Sequence, residues 1–425
     1  MQMGDRLTLS VERPAVGGRM IARYNGAVVF VAGAIPGEVV EAIVERVQRG
    51  TVWASTARVV EGSPDRLPGD ADRACGGCAF AHIAYERQRQ LKAAIIDDAF
   101  RRIGRLTLDG PVPVVPSPVD GYRMRARLHA SGGRIGFFRE GTHELCDPAP
   151  TRQLQPAALD AVAALSKALQ ALERETVAAI ELSENIDGRD RVCHLELVPD
   201  ADPSRLASLT AVGHLTGVTC AHAGRPRTME LWGEPRVSDT IAVTSGARTH
   251  TVTLARHARA FFQSNRYLLV PLVNHVLSVV EKGPLVDLFA GVGLFSVAAA
   301  ACGVGPVVAV EGDRFAIDDL QGNATPYAET LSVRGESVEA FVARPRDVKA
   351  ATVILDPPRT GLSKEALAGV LALAAPRLIY VSCDIATLAR DAQALVGAGY
   401  AIVGARAFDL FPNTAHVEAV ISFAR

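Results

Sequence analysis

The stretch that most constrains this chain is residues 284–311. PLVDLFA is a short continuous apolar run, the pattern of a strand buried on both faces. It passes into Gly291-Val292-Gly293 and then into LFSVAAAACG, an apolar helix, before a second buried-strand run, VVAVE, ends at Glu311. Strand, glycine turn, helix and strand form the repeating unit of a parallel sheet covered by helices. Ligands of such a sheet sit outside the carboxyl ends of its strands.

The turn is suited to a nucleoside-bearing ligand. Its glycines let the backbone approach closely, and the helix start offers free N–H donors. Glu311 stands about twenty residues on, where an acidic side chain accepts hydrogen bonds from ribose hydroxyls. The bland alternative is a strand-end carboxylate capping the next helix. A dinucleotide site asks for a third glycine three residues after the second, and Ser296 occupies that position. S-Adenosylmethionine is therefore expected in preference to NAD.

Two further strand ends carry reactive residues, VILDPPRTGL around Asp356 and LIYVSCD ending at Cys383. Both belong at the same sheet edge, so Glu311, Asp356 and Cys383 should converge on one crevice. Cys193, Cys220 and Cys302 read as ordinary apolar packing, the usual fate of a free cysteine. The tail, FDLFPNTAHVEAVISFAR, opens its last strand with His416 and Glu418. Glu418 is a candidate base, whereas His416 reads as a residue that orients the loop.

The rest of the chain divides by texture. Residues 7–60 alternate in short segments separated by turns such as Asn25-Gly26 and Pro36-Gly37, which predicts a small β-barrel. A polar connector, residues 64–72, leads to Cys75-Gly76-Gly77-Cys78 and a helical pattern over residues 85–104. Strands such as RMRARLHAS and RIGFFRE, with a helix over residues 156–175, make the middle α+β. The expected architecture is α/β overall: an OB-like barrel (1–62), a central α+β domain (63–255) and a C-terminal Rossmann-like domain (256–425).

The chain has 425 residues and a net charge of −1, so a nucleic-acid site must be local and not a general basic coat. The strand bearing Arg123, Arg125 and Arg127 is a candidate. Residues 1–10 lack the apolar core of a signal peptide, which gives a cytoplasmic expectation. Residues 288–310 carry no charge and are long enough to cross a bilayer, but Gly291, Gly293, Gly303, Gly305 and Pro306 break them, so no membrane span is expected. Seven cysteines without an export signal suggest metal or catalytic use over a disulfide framework.

GGRMIARYNGAVVFVAGAIPGEVVEAIV resembles the TRAM domain, a barrel related to OB-folds and found in front of RNA-modifying enzymes. FFQSN, DLFAGVGLFS, LDPPRTGL, YVSCDIATLARD and HVEAV resemble, in order, the motifs of the RNA uracil-5-methyltransferases, and the likeness spans essentially the whole chain. It implies methylation of carbon 5 of a uridine in RNA. Gln263, Phe289, Glu311 and Asp356 would line the cofactor and uridine pocket, Cys383 would be the nucleophile and Glu418 the base. The chemistry needs both: carbon 5 of uracil becomes nucleophilic only after addition at carbon 6, and its proton must then be removed.

Cys75, Cys78 and Cys146 resemble the iron–sulfur site of the ribosomal-RNA branch, implying a [4Fe-4S] cluster and 23S rRNA as substrate, with the T-loop uridine of tRNA as the alternative. No obligate protein partner is indicated. The branch's first cysteine is missing, leaving Asp70 or Asp72 as a substitute ligand and zinc with His82 as the weaker possibility. Three other positions depart from the family: Leu294 and Ser337 replace asparagines, and Asp384 follows the cysteine in place of another, where a close, ionised carboxylate would raise the thiol pKa. Arg359 after the two prolines argues against amino-group methylation, which places an aromatic there. An RNA-binding assembly factor without activity is the competing class.

Overall fold

Inward-facing residues of the first five strands, Arg6–Pro14, Met20–Tyr24, Ala27–Ala32, Val39–Gln48 and Thr51–Glu61, close into a barrel. Val29, Val31, Val40, Ala42, Val52 and Ala54 fill its interior. Asn25 and Gly26 both take positive φ (48° and 81°), the geometry of a two-residue hairpin turn. The computed structural model describes residues 1–69, 72–172, 175–209, 212–225, 227–344 and 349–425.

The middle of the chain forms a seven-stranded sheet that includes Arg125–Ser131, Val177–Glu184 and Arg191–Leu197. Helix Pro156–Gln170 lays Ala158, Ala161, Leu165 and Leu169 on it. That helix stops short of residue 175 because Leu172 N–H closes a turn on Leu169, and the Glu175 carboxylate instead accepts from Gly132 N–H.

The C-terminal sheet has eight strands, in the order Leu331–Gly335, Val307–Glu311, Leu285–Leu288, Thr352–Leu355, Arg377–Ser382, Glu418–Ala424, Ala401–Phe408 and Val114–Val115. The first five run parallel, and Glu418–Ala424 is antiparallel to both of its neighbours. An apolar layer covers each face. The hairpin of Arg236–Ser245 and Arg248–His257 joins one layer, burying Ile241, Val243, Val252 and Leu254 with helix Leu269–Ser278. Residues 288–310 are strand end, loop, helix Leu294–Ala301 and strand, and among the described residues no helix is long and apolar enough to cross a membrane.

Helix Tyr85–Ala99 belongs to two cores. Leu91 and Ile95 pack with the barrel interior beside Phe80 and Ile83, whereas Ile96 and Ala99 pack under the C-terminal sheet. The helical pattern over residues 85–104 is realised as this α-helix followed by a π-turn, Phe100–Gly104, where a Cβ on Gly104 would lie 2.8 Å from the Ala389 carbonyl oxygen.

Candidate active site

The strand register brings the reactive positions to one edge. Leu288 is level with Val310 and Leu355, and Leu355 with Tyr380. The residues one position on, Phe289, Glu311 and Asp356, and Cys383 directly after strand Arg377–Ser382, therefore share the carboxyl edge. Ser382 pairs with Ala419 in the antiparallel last strand, so Glu418 enters at the same edge from the opposite chain direction. A cavity of about 620 Å³ opens there, within the range of small-molecule sites, and it is lined by Gln263, Phe289, Glu311, Asp356, Cys383 and Glu418. All six cavity residues inferred from the sequence meet in one place.

The glycine turn is held by its acidic neighbour. Phe289 (φ 65°), Gly291 (56°) and Gly293 (96°) all take left-handed backbone, which is uncommon for a phenylalanine. A Cβ on Gly293 would fall 2.7 Å from Val297 Cγ2 and 2.8 Å from Leu320 Cδ1, so the helix sits as close as only glycine allows. Glu311 accepts from Gly291 N–H (2.7 Å) through one oxygen, and from Gly312 and Asp313 N–H (2.8 and 2.6 Å) through the other. Below the turn, fully buried Asp287 accepts from Ser296 N–H at 3.0 Å, and burial pushes its carboxyl up to about 7. Sequence reading passed over Asp287, although an acid inside the apolar run LVDL is itself a signal.

Burial also governs the reacting end. It pushes the Cys383 thiol up to about 12, reinforced by the charges of Glu418 and Asp356 and opposed by the Arg359 guanidinium. Asp356 is raised to about 7 by burial and by Asp287, against a 3.4 Å hydrogen bond from the Gln263 amide. Glu418, 2% exposed, is raised well above the ordinary carboxylate range by burial and then by Asp356, again opposed by Arg359. Burial and Arg359 lower His416 to about 4, leaving its ring neutral. Arg359 is thus the cation that bears on both Cys383 and Glu418, and its place directly after two prolines at a strand end could have identified it.

The departures from the family pattern have local explanations. Asp384 turns to the start of helix Ile385–Gly397, accepting from Thr387 N–H (2.9 Å) and Thr387 Oγ1 (3.0 Å), which is ordinary N-capping. The charges that raise Cys383 are those of Glu418 and Asp356. Ser337 caps helix Val338–Val342, and Leu294 is buried at the cavity wall. At the cavity mouth Arg125 pairs with Glu181, Arg127 with Glu181 and Glu196, and Arg123 donates to the Gln153 amide oxygen. Phe261, 59% exposed, stands beside Arg125.

The cysteine segment does not offer a cluster's donor set. Cys75 and Cys146 are joined in a disulfide, and Cys78 is a buried thiol raised to about 11 by burial and then by Asp72. Asp72 is engaged by Arg139 (3.0 Å) and Ala74 N–H, and the His82 ring faces the Ala34 carbonyl oxygen. Asp70 lies outside the described residues. Among the described residues no group of three or more His, Cys, Asp or Glu side chains is arranged to hold a metal ion. In place of the expected [4Fe-4S] ligation by Cys75, Cys78 and Cys146, two of the sulfurs pair with each other and Cys78 stands as a thiol.

The TRAM domain profile matches residues 2–57, and that described as tRNA (Uracil-5-)-methyltransferase matches residues 342–425. The 23S rRNA (uracil(1939)-C(5))-methyltransferase RlmD of Pseudomonas putida is 30% identical over 99% of this chain and 94% of its own length. That of Chromohalobacter salexigens is 34% identical over 98% and 89%. The chain belongs to the RNA uracil-C5-methyltransferase family. The methyltransferase shares its fold with the Pyrococcus abyssi tRNA (uracil-54, C5)-methyltransferase, solved with S-adenosyl-L-homocysteine, at a TM-score of 0.73 and 24% identity over 98% of this chain and 100% of that one. Within this RNA uracil-C5-methyltransferase, Phe411 also reaches the cavity, from the loop before Glu418.

Proposed function

We propose that this enzyme methylates carbon 5 of a uridine in 23S rRNA, with S-adenosylmethionine supplying an electrophilic methyl group beside the glycine turn. The observation that carries the reading is the shared cavity of Cys383 and Glu418, with Gly291 and Glu311 lining the same space. Arg359 favours the Cys383 thiolate against the burial that opposes it. The thiolate adds to carbon 6, and the electron pair reaches carbon 5 through the enolate. After methyl transfer, Glu418 takes the carbon 5 proton, and the C–S bond breaks to restore Cys383 and the uracil double bond. Gln263 and Asp356 hold the ring edge, Glu311 holds the ribose of the cofactor, and Phe289 shapes the pocket between them.

Carbon 6 is hidden inside a duplex, so the uridine has to leave its stack. The barrel of residues 1–62 and the arginines of the central domain, 63–255, hold the flanking RNA while residues 256–425 carry out transfer. The Cys75–Cys146 disulfide enters this reading as a clip on the segment that leads to Phe80, with Cys78 buried in the same core. The reading places the reaction in the cytoplasm and includes no obligate protein partner. Matching of the tRNA-named profile favours a second substrate reading, the T-loop uridine of tRNA.

Incubation with 5-fluorouridine-substituted 23S rRNA and cofactor, read on a denaturing gel, tests the mechanism. A covalent adduct is expected with wild type and none with Cys383→Ala. A folded, cofactor-bound wild type that forms no adduct would overturn the mechanism, and an adduct with tRNA alone would move the substrate.

A further inference from the structure

One buried cation has no part in that chemistry. Lys92, on helix Tyr85–Ala99, is fully buried with its ion-pair partner Asp409, and its Nζ also donates to the Phe411 carbonyl oxygen at 2.9 Å. Burying an ammonium is costly unless its partners are well placed, so the pair is stable only with the loop in this position. That loop, residues 409–417, leaves Ala401–Phe408 and returns as Glu418–Ala424, bringing Phe411 and Glu418 to the cavity.

A second attachment lies one turn earlier on the helix. Gln88 Nε2 donates to Asn413 Oδ1 (3.0 Å), and Gln88 Oε1 accepts from Asn413 N–H (2.9 Å). Asn413 takes φ 63°, and its carbonyl oxygen accepts from Phe80 N–H at 2.8 Å. Past it, Ala415 touches the barrel so closely that a Cβ on Gly18 would lie 2.5 Å from Ala415 Cβ. The other anchors run from Asp409 N–H to Val115 and from the Asn265 amide to Leu410, at the start of the loop, and from the Tyr122 hydroxyl to the Pro412 carbonyl oxygen at 3.4 Å. Cys383 is rooted differently, between strand Arg377–Ser382 and helix Ile385–Gly397 of the parallel sheet.

We infer that Lys92 and Gln88 are positioning residues for Glu418: the brace they form sets the rate of proton removal while leaving cofactor binding and Cys383 addition intact. The inference rests on the reading of Glu418 as the base. Two braces are altered in the full-length enzyme, Gln88→Met and the charge-neutral double variant Lys92→Met/Asp409→Asn. Each is assayed with RNA carrying tritium at carbon 5 of uridine, following adduct formation and tritium release separately, with calorimetric S-adenosylmethionine binding as the check on folding.

The expected result is wild-type adduct formation with tritium release slowed between about tenfold and 100-fold, the scale of an ångström misplacement, and restoration toward wild type in Lys92→Arg. Equal slowing of both steps, or no change in either, in folded protein would overturn the inference. If the double variant does not fold, Gln88→Met alone decides by the same criterion. Glu418→Gln separates the two readings: failure to accumulate adduct there sinks the assignment of the base, whereas accumulation there without it in the brace variants sinks only the brace.

Discussion

The two ends of the active-site cavity are built in different ways. The cofactor end is local: Phe289, Gly291, Gly293 and Glu311 come from one strand–turn–helix–strand unit, and the Glu311 carboxylate ties the turn to the next strand. The base end is assembled from distant chain. Glu418 opens a strand paired with Arg377–Ser382 and Ala401–Phe408, and it follows a loop held by Lys92, Gln88 and Phe80, the first of which is separated from Asp409 by 317 residues. A local unit can bind its ligand almost independently, whereas an assembled one is sensitive to everything it touches.

The largest effect should come from the reacting pair. Cys383→Ala is expected to abolish both adduct and product, and Glu418→Gln to slow turnover by about 10²–10⁴-fold, the usual worth of a positioned general base, while adduct accumulates. Rapid-quench kinetics on labelled RNA checks this. Normal release from Glu418→Gln would break the contrast between the two ends, since the base would then lie elsewhere.

Next in size is the cofactor turn. Gly293→Ala places a methyl group against Val297 and Leu320 at a left-handed position, a strain of roughly 1–3 kcal/mol. S-Adenosylmethionine affinity should fall about 5- to 150-fold on that scale, read by calorimetry, with RNA binding unchanged. A matching loss of RNA binding would show that the cofactor end is less self-contained than its hydrogen bonds indicate.

A smaller effect is expected from pH. Asp287 and Asp356 are each raised to about 7, while an unfolded carboxyl titrates near about 4. Between those values the folded chain keeps protons that the unfolded chain has released, so these groups make stability fall as pH rises, with the loss levelling off above about 7. Asp287→Asn should flatten the decline in Tm between pH 5 and pH 8, and an unchanged slope would remove Asp287 as its source. The smallest effect concerns the cysteine segment. Thiol alkylation of the denatured, unreduced protein should find five free cysteines, with Cys75 and Cys146 labelled only after reduction. Iron with acid-labile sulfide in the purified protein would break that pairing.

The same contrast explains what could be read from the sequence. The cofactor unit was legible because its signals, an apolar run, two glycines and an acid at the next strand end, lie within residues 284–311. Cys383 was legible because a strand pattern ends on it, and Glu418 because the last strand pattern begins near it. For Asp384 the sequence shows a charge but not its direction: the carboxylate serves the helix that starts beside it. The ligand set of the cysteine segment comes from the family resemblance, which cannot show that two of the sulfurs pair with each other. Lys92 could not be singled out at all, since a lysine in an ordinary helical pattern reveals nothing of a partner hundreds of residues away.

Helix Tyr85–Ala99, shared between the barrel interior and the underside of the C-terminal sheet, also limits how such a protein can be recombined. The barrel looks like a bead that could be unthreaded and replaced by another RNA-binding module. Its seam with the rest does not follow the order of the chain, however, because Gly18 meets Ala415, and Phe80 meets Asn413. A graft that exchanged residues 1–62 alone would cut across a packed core. A working chimaera would have to carry the helix and residues 409–417 along with the barrel as one inherited block.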